Sequence, residues 1–324
     1  MKTLKPLSVY RVTITALVEN CLEELVSDTA PVIKRFRSRT KPELPMDAWP
    51  TAEHGISLLI EVEREGKVHR ALFDAGGTAQ GAVCNARQIG CDLTQVELVA
   101  LSHFHGDHTG GLPAVLDAVG HSVPVALHPD MLLVKGRKLD DGSVAELRHH
   151  PNYPKSFFQA RGNPLHCITQ PTLFFDGTLL TSGEIARVTN FEDAPAPDAF
   201  ISRNGQWEPY PRMIDEQALC FLVQNKGLII LTGCAHAGVM NTVRHFQTAT
   251  EEEHVHLLLG GFHLGGPRFE PAMPETVDEL IKLSPDWLVP CHCSGWKAFN
   301  RLYQALGDRV IHSSAGARFE VTAA

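Results

Sequence analysis

No apolar run in the 324 residues approaches the roughly 20 needed to cross a bilayer, so a membrane-spanning helix is not expected. Lys2 and Lys5 open the chain, but Tyr10, Arg11 and the nearby threonines interrupt any apolar stretch of the kind a secretory leader needs. An excess of positive charge is also missing. The 29 Lys and Arg face 37 Asp and Glu, a net charge of −8, which disfavours general nucleic-acid binding. Cysteine is present but not as a disulfide framework. The eight are scattered, several within apolar segments such as Ala218-Leu219-Cys220-Phe221-Leu222, as buried thiols are in a reducing compartment, so a cytoplasmic protein is expected. With 44% hydrophobic and 20% charged residues, the chain has the composition of a folded domain with a substantial core.

What the sequence has in plenty is histidine, 17 in all, several clustered. Around the clusters, strands alternate with helices. Tyr10–Val18 reads as a strand and Asn20–Ser27 as a helical turn. Ile56–Val62 and Ala71–Phe73 flank Arg64-Glu65-Gly66-Lys67 as a hairpin. Val96–Leu101 is a short buried strand, followed by a helix at Leu112–Val119 that Gly120 ends. Residues 129–212 are rich in Pro, Gly, Asn and charge, and read as a lid or insertion, with a strand-like run at Thr178–Thr181. Beyond them come strands at Ala218–Gln224 and Leu228–Leu231, a helix near Met240–Thr248 and a strand at Val255–Leu259. A helix at Pro274–Leu283, a strand at Trp287–Pro290, a helix at Trp296–Leu306 and a terminal strand at Val310–His312 complete the chain. The pattern is that of an α/β or α+β protein.

The chemistry concentrates in Ser102-His103-Phe104-His105-Gly106-Asp107-His108-Thr109-Gly110-Gly111, directly after a buried strand. His103 and His105 project to one side of an extended backbone, and a Gly-containing turn can return Asp107 and His108 to the same point. Three imidazoles and a carboxylate suit zinc, iron or manganese. His236, two residues after Cys234, and His263, set among the glycines of Gly260-Gly261-Phe262-His263-Leu264-Gly265-Gly266, also follow apolar strands. Each is a candidate ligand, proton donor to a leaving group, or packed core histidine.

The His-x-His-x-Asp-His stretch, with Phe73-Asp74-Ala75-Gly76 upstream, resembles the signature of the metallo-β-lactamase superfamily. The resemblance implies a single domain over residues 1–324, folded as a four-layer αββα sandwich, with one or two metals, zinc first and iron or manganese as alternatives. It assigns His103 and His105 to the first metal, Asp107 and His108 to the second, and Asp74 to holding an imidazole from behind. Thr181-Ser182-Gly183-Glu184 stands where relatives carry Gly-His, so Glu184 takes the place of the third histidine. Leu231-Thr232-Gly233-Cys234 stands where they carry Thr-Gly-Asp, which makes Cys234 the bridging ligand. Trp287-Leu288-Val289-Pro290-Cys291-His292 supplies His292 to the second metal. Cys291 and Cys293 flank His292 and, in extended chain, point away from it, so both are read as structural.

Several further segments are similar to the dihydropterin ribofuranosylaminobenzene phosphate synthase-like branch: Glu53-His54-Gly55, Asp215-Glu216-Gln217, Gly233-Cys234-Ala235-His236, Gly261-Phe262-His263-Leu264 and Cys291-His292-Cys293-Ser294-Gly295. The expected activity is metal-dependent hydrolysis, a metal-bound hydroxide attacking a small anionic substrate, with Asp107, His236 and His263 as catalytic candidates. A pterin-linked transferase or synthase, and a non-catalytic metal- or ligand-binding protein, are the alternatives. Lys135, Arg137, Lys138, His149, His150 and Arg161 give the middle segment a positive character suited to a phosphate or carboxylate, or to a solvated loop.

Overall fold

Strands with a period-two pattern that is apolar on both sides must be covered on both faces. The strand Ser57–Arg64 turns Leu58, Ile60 and Val62 to one core and Leu59 to another. The strand Gly227–Thr232 likewise gives Ile229 and Leu231 to the core that holds Leu58, and Leu228 and Ile230 to a third. A computed structural model, describing residues 3–28, 30–37, 43, 45 and 48–324, shows how these faces are satisfied. Two sheets stack on a shared core, and each outer face carries helices.

The first sheet has eight strands, in spatial order Ile33–Lys34, Arg318–Thr322, Arg11–Val18, Ser57–Arg64, Lys67–Phe73, Leu98–Ala100, Val125–Leu127 and Leu165–Cys167. Helices Gly81–Ile89 and Leu112–Val119 cover its outer face through Ala82, Ala86, Leu112 and Val115. The second sheet has six strands, Thr172–Phe174, Leu179–Thr181, Ala218–Val223, Gly227–Thr232, Val255–Gly261 and Trp287–Cys291. It is covered by helices Val239–Thr250, Met273–Leu283 and Trp296–Leu306, which contribute Val243, Phe246, Val277, Leu280 and Leu302.

The hairpin at residues 57–73 closes through Glu65 and Gly66, both at positive φ, as a two-residue turn with the right-handed twist of its strands requires. In the second sheet, Gly227–Thr232, Val255–Gly261 and Trp287–Cys291 run parallel, so their C-terminal ends share one edge. In the first sheet, Lys67–Phe73 and Leu98–Ala100 also run parallel and end together.

Three expectations need correction. Asn20–Ser27 is not helical: the Glu23 carboxylate accepts from the Leu25 and Val26 amides at 2.8 and 3.2 Å, a local alternative to helical pairing. Val310–His312 is not a strand, since Val310 makes only a single bridge to Leu288. The terminal strand is Arg318–Thr322, whose Phe319 and Val321 enter the inter-sheet core while Arg318 and Glu320 face outwards. The segment 129–212 is divided rather than inserted whole. Leu165–Cys167 joins the first sheet and Thr172–Phe174 and Leu179–Thr181 join the second. Lys135–Lys138, Val144–Glu146, Ala199–Arg203 and Gln206–Pro209 form a separate four-stranded sheet.

Candidate metal centre

The chain leaves four of these strands by an abrupt reversal. Asp74 (φ 61°), Ala235 (55°), His263 (45°) and His292 (49°) are non-glycine residues in the left-handed region, each a few residues at most past a strand end. Such backbone is costly and is held only where surrounding contacts fix it. At Asp74 they are hydrogen bonds. Its buried carboxylate accepts from the Ser102 amide (2.7 Å), the Ser102 hydroxyl (2.6 Å) and His108 Nδ1 (2.6 Å). With its Nδ1 proton donated to Asp74, His108 turns an unprotonated Nε2 inwards, 3.1 Å from Cys234 Sγ.

Around that sulfur the candidate ligands converge. His103, His105 and His236 form one group, Asp107, His108 and His292 a second, and Cys234 joins separate groups with His103 and His108, with His236 and His263, and with His292 and Cys293. Within each group the donor atoms lie within 4.8 Å of one another. Rings of His103 and His236 are 4.8 Å apart, and those of His105 and His236 4.9 Å. His236 Nε2 is buried with no hydrogen-bond partner, the state in which an imidazole nitrogen is left when its partner is an ion. Nitrogen, oxygen and sulfur donors of this kind fit a divalent transition metal.

For the first group, electrostatics agree with that fit. Burial, reinforced by neighbouring imidazoles, drives the His103, His105 and His236 rings well below the usual histidine range, so they are neutral at pH 7 with lone pairs available. Burial opposes ionisation of Asp107, but a hydrogen bond from His292 and the electrostatic pull of the surrounding imidazoles outweigh it and hold the carboxyl well below its ordinary range. For His292, burial acts downwards, yet Cys293 and Asp107 raise it to about 9. His292 is fixed from behind by Asn20, whose Oδ1 lies 3.1 Å from Nδ1 and whose Nδ2 donates to the His292 carbonyl, and by Glu19, which accepts from its amide.

Glu184 does not stand beside His103 and His105; His236 does. Gly183 (φ 62°) packs its backbone against Gln170, the Glu184 amide bonds to the Thr169 carbonyl, and the half-exposed carboxylate is led to His128 Nε2 at 3.2 Å. Extended chain would point Cys293 away from the site, but its Sγ lies 3.2 Å from Cys234 Sγ. The left-handed turn at His292 breaks the alternation on which that reading depended. Cys291 is packed in the inter-sheet core. His54, from the Glu53-His54-Gly55 segment, also reaches the site: it sits 3.5 Å from Asp107 Oδ2, with its ring 5.1 Å from that of His292.

A cavity of about 160 Å³ opens over His105, His236 and His263. Its far wall comes from the four-stranded sheet and its neighbours: Gly136, Arg137, Phe200, Tyr210 and, from another loop, Arg268. His149 and His150 line it too. The His150 ring stacks on His105 at 4.7 Å and its Nδ1 accepts from the Gly106 amide. Burial and His149 hold its pKa down to about 4. Lys135 reaches the cavity but is committed, donating to the Asp130 and Leu133 carbonyls. Arg161 lies over the Phe157 ring, and Lys138 is exposed on its strand. Among the described residues, no helix is long and apolar enough to cross a membrane.

Residues 54–183 match the family model described as the metallo-β-lactamase superfamily. The chain is 30% identical over 267 residues to the 7,8-dihydropterin-6-methyl-4-(β-D-ribofuranosyl)-aminobenzene-5'-phosphate synthase of Methanocaldococcus jannaschii, covering 82% of this chain and 89% of that protein. A shorter stretch of 72 residues, 22% of this chain and 20% of the other, is 39% identical to a ribonuclease Z of Salinibacter ruber. The solved structure of a metal-dependent hydrolase of the β-lactamase superfamily superposes with a TM-score of 0.69 at 23% identity, over 96% of this chain and 99% of that one. With the two-sheet sandwich and the ligand cluster at its strand ends, these likenesses establish that the chain belongs to the metallo-β-lactamase superfamily, in the branch that resembles the dihydropterin ribofuranosylaminobenzene phosphate synthase.

Proposed function

We propose that the protein is a metal-dependent hydrolase of a small anionic substrate. The observation that carries this reading is the gathering of His103, His105, His236, Asp107, His108 and His292 around Cys234, with His105 and His236 lining a cavity whose wall also carries Arg137 and Arg268. A divalent ion bound there, zinc by the donor set, supplies Lewis-acid activation of water and of an electrophilic carbon or phosphorus. His103, His105 and His236 would hold one ion and Asp107, His108 and His292 a second, with Cys234 within reach of either. Asp74 keeps His108 in the tautomer that offers a lone pair. Arg137, paired with Asp198 at 3.0 Å, and Arg268, bonded to the Ala194 carbonyl, put positive charge in the cavity wall, and His263, which lines the cavity beside His236, is placed to pass a proton to the leaving group.

A second reading, transfer rather than hydrolysis, has one observation in its favour: the relative named as a synthase, at 30% identity over most of both chains. One experiment separates them. Metal-reconstituted protein is incubated with a panel of phosphate monoesters, diesters and lactones, and separately with a dihydropterin diphosphate plus a ribofuranosylaminobenzene phosphate. Turnover of a panel member that disappears in His103→Ala supports hydrolysis. Condensation of the paired substrates with no panel hydrolysis supports the synthase reading. Neither reaction in metal-loaded protein refutes both.

A further inference from the structure

We propose that Cys293 is a second thiolate ligand beside Cys234, which makes the position shared with His292 a two-sulfur site for a borderline-soft divalent ion such as zinc. This rests on the metal-centre reading above and goes beyond it, because it adds a donor that the His-x-His-x-Asp-His pattern does not contain.

Three features bring Cys293 to the site. The left-handed backbone of His292 (φ 49°) opens a single 3-10 turn over His292–Ser294, so Cys293 does not follow the strand's alternation. Gly261 gives it room: a Cβ at that position would lie 2.6 Å from Cys293 Sγ. Ser294 then locks the turn, its hydroxyl donating to the Cys291 carbonyl at 2.8 Å and accepting from the Phe262 amide at 3.0 Å. The donor atoms of Cys234, His292 and Cys293 consequently lie within 4.8 Å of one another.

The sulfur separation supports shared ligation. Two thiolates each about 2.3 Å from a tetrahedral ion stand roughly 3.8 Å apart, and a disulfide brings sulfurs to about 2.05 Å. The observed 3.2 Å is the nearer to the first, and both cysteines are free thiols. Cys291, two residues away, is packed in the inter-sheet core and offers no competing sulfur.

The test is the number of sulfur neighbours per zinc, read by zinc-edge X-ray absorption on full-length protein, with elemental analysis of the same samples. If Cys234 bridges two ions, the wild type shows about 1.5 sulfurs per zinc and Cys293→Ser about 1; with one ion bound the values are about 2 and 1. A wild-type count no higher than one, or an unchanged count in Cys293→Ser at unchanged metal content, overturns the proposal and leaves the metal centre standing. Should the variant fail to fold, the wild-type count decides alone, since a value above one requires a thiolate besides Cys234. Wild type that takes up no zinc refutes the metal-centre reading itself, and the ligand assignment with it.

Discussion

Replacing Asp74 by asparagine changes one oxygen to an NH₂ in a fully buried pocket, and its consequences can be followed atom by atom. The backbone tolerates the change, because Asn adopts the left-handed φ of 61° nearly as readily as Asp. Asn Oδ1 still accepts from the Ser102 amide. The NH₂, however, now faces the Ser102 hydroxyl and His108 Nδ1, which in the wild type lie 2.6 Å from Asp74 Oδ2. The hydroxyl can reverse and accept. The imidazole accepts only by moving its proton to Nε2, the atom 3.1 Å from Cys234 Sγ, and so loses the lone pair aimed at the site. Loss of such an outer partner costs metal affinity about 10–100-fold, or about 1.4–2.8 kcal/mol. Asp74→Ala behaves differently. It strands the buried Ser102 amide, at about 1–3 kcal/mol, and adds about 1–2 kcal/mol for a left-handed alanine. Competition titration with a chromophoric chelator, alongside urea unfolding of the metal-free proteins, reads both quantities. Asn should weaken metal binding with little change in apo stability, and Ala should lower both. Equal metal affinity in wild type and Asp74→Asn would refute the tautomer argument.

Two further predictions concern the scaffold around the site. Glu192 accepts from the Met240 and Asn241 amides, each at 2.9 Å, and so caps helix Val239–Thr250 from a distant part of the chain. Glu192→Ala leaves these buried donors unpaired and should cost about 2–4 kcal/mol in chemical denaturation; a loss under about 0.5 kcal/mol would show that water replaces the carboxylate. Glu216 is buried with Oε1 unpartnered, and burial raises its pKa to about 7. The folded metal-free chain therefore keeps a proton that the unfolded chain releases near its ordinary 4.5, so stability is full below that pH and falls as pH rises to about 7, by up to about 3 kcal/mol. Glu216→Gln should remove this fall, which urea midpoints at pH 5 and pH 8 will register; parallel profiles in the two proteins would contradict it.

What the sequence disclosed depended on how local each signal was. The His103–His108 stretch is legible because its four donors lie within six residues and follow a buried strand, so spacing alone brings them together. The helix Leu112–Val119, with Pro at its start and Gly120 beyond its end, appears with the bounds its pattern suggests. Glu184 misled because its neighbourhood fits a motif, whereas its direction is set by packing of Gly183 on Gln170, which no spacing reports. Cys293 was hidden by an assumption of continued extended chain, broken at His292. The cap on helix Val239–Thr250 was out of reach for another reason: Glu192 stands 48 positions before the amide it receives. Val310 and Ile311 are as apolar as a strand requires, but hydrogen-bonding edge rather than hydrophobicity decided which terminal segment joined the sheet.

The contact between His108 Nε2 and Cys234 Sγ joins residues 126 positions apart, one following a strand of the first sheet and the other a strand of the second. An ion held by both fastens the two halves of the sandwich as a covalent bridge would. Closing a loop of that length removes roughly 5 kcal/mol of conformational freedom from the unfolded chain by the loop-entropy argument applied to disulfides. The ion would then be a clasp as well as a reagent, and the chain that lacks it would be looser at the seam between its sheets than within either one.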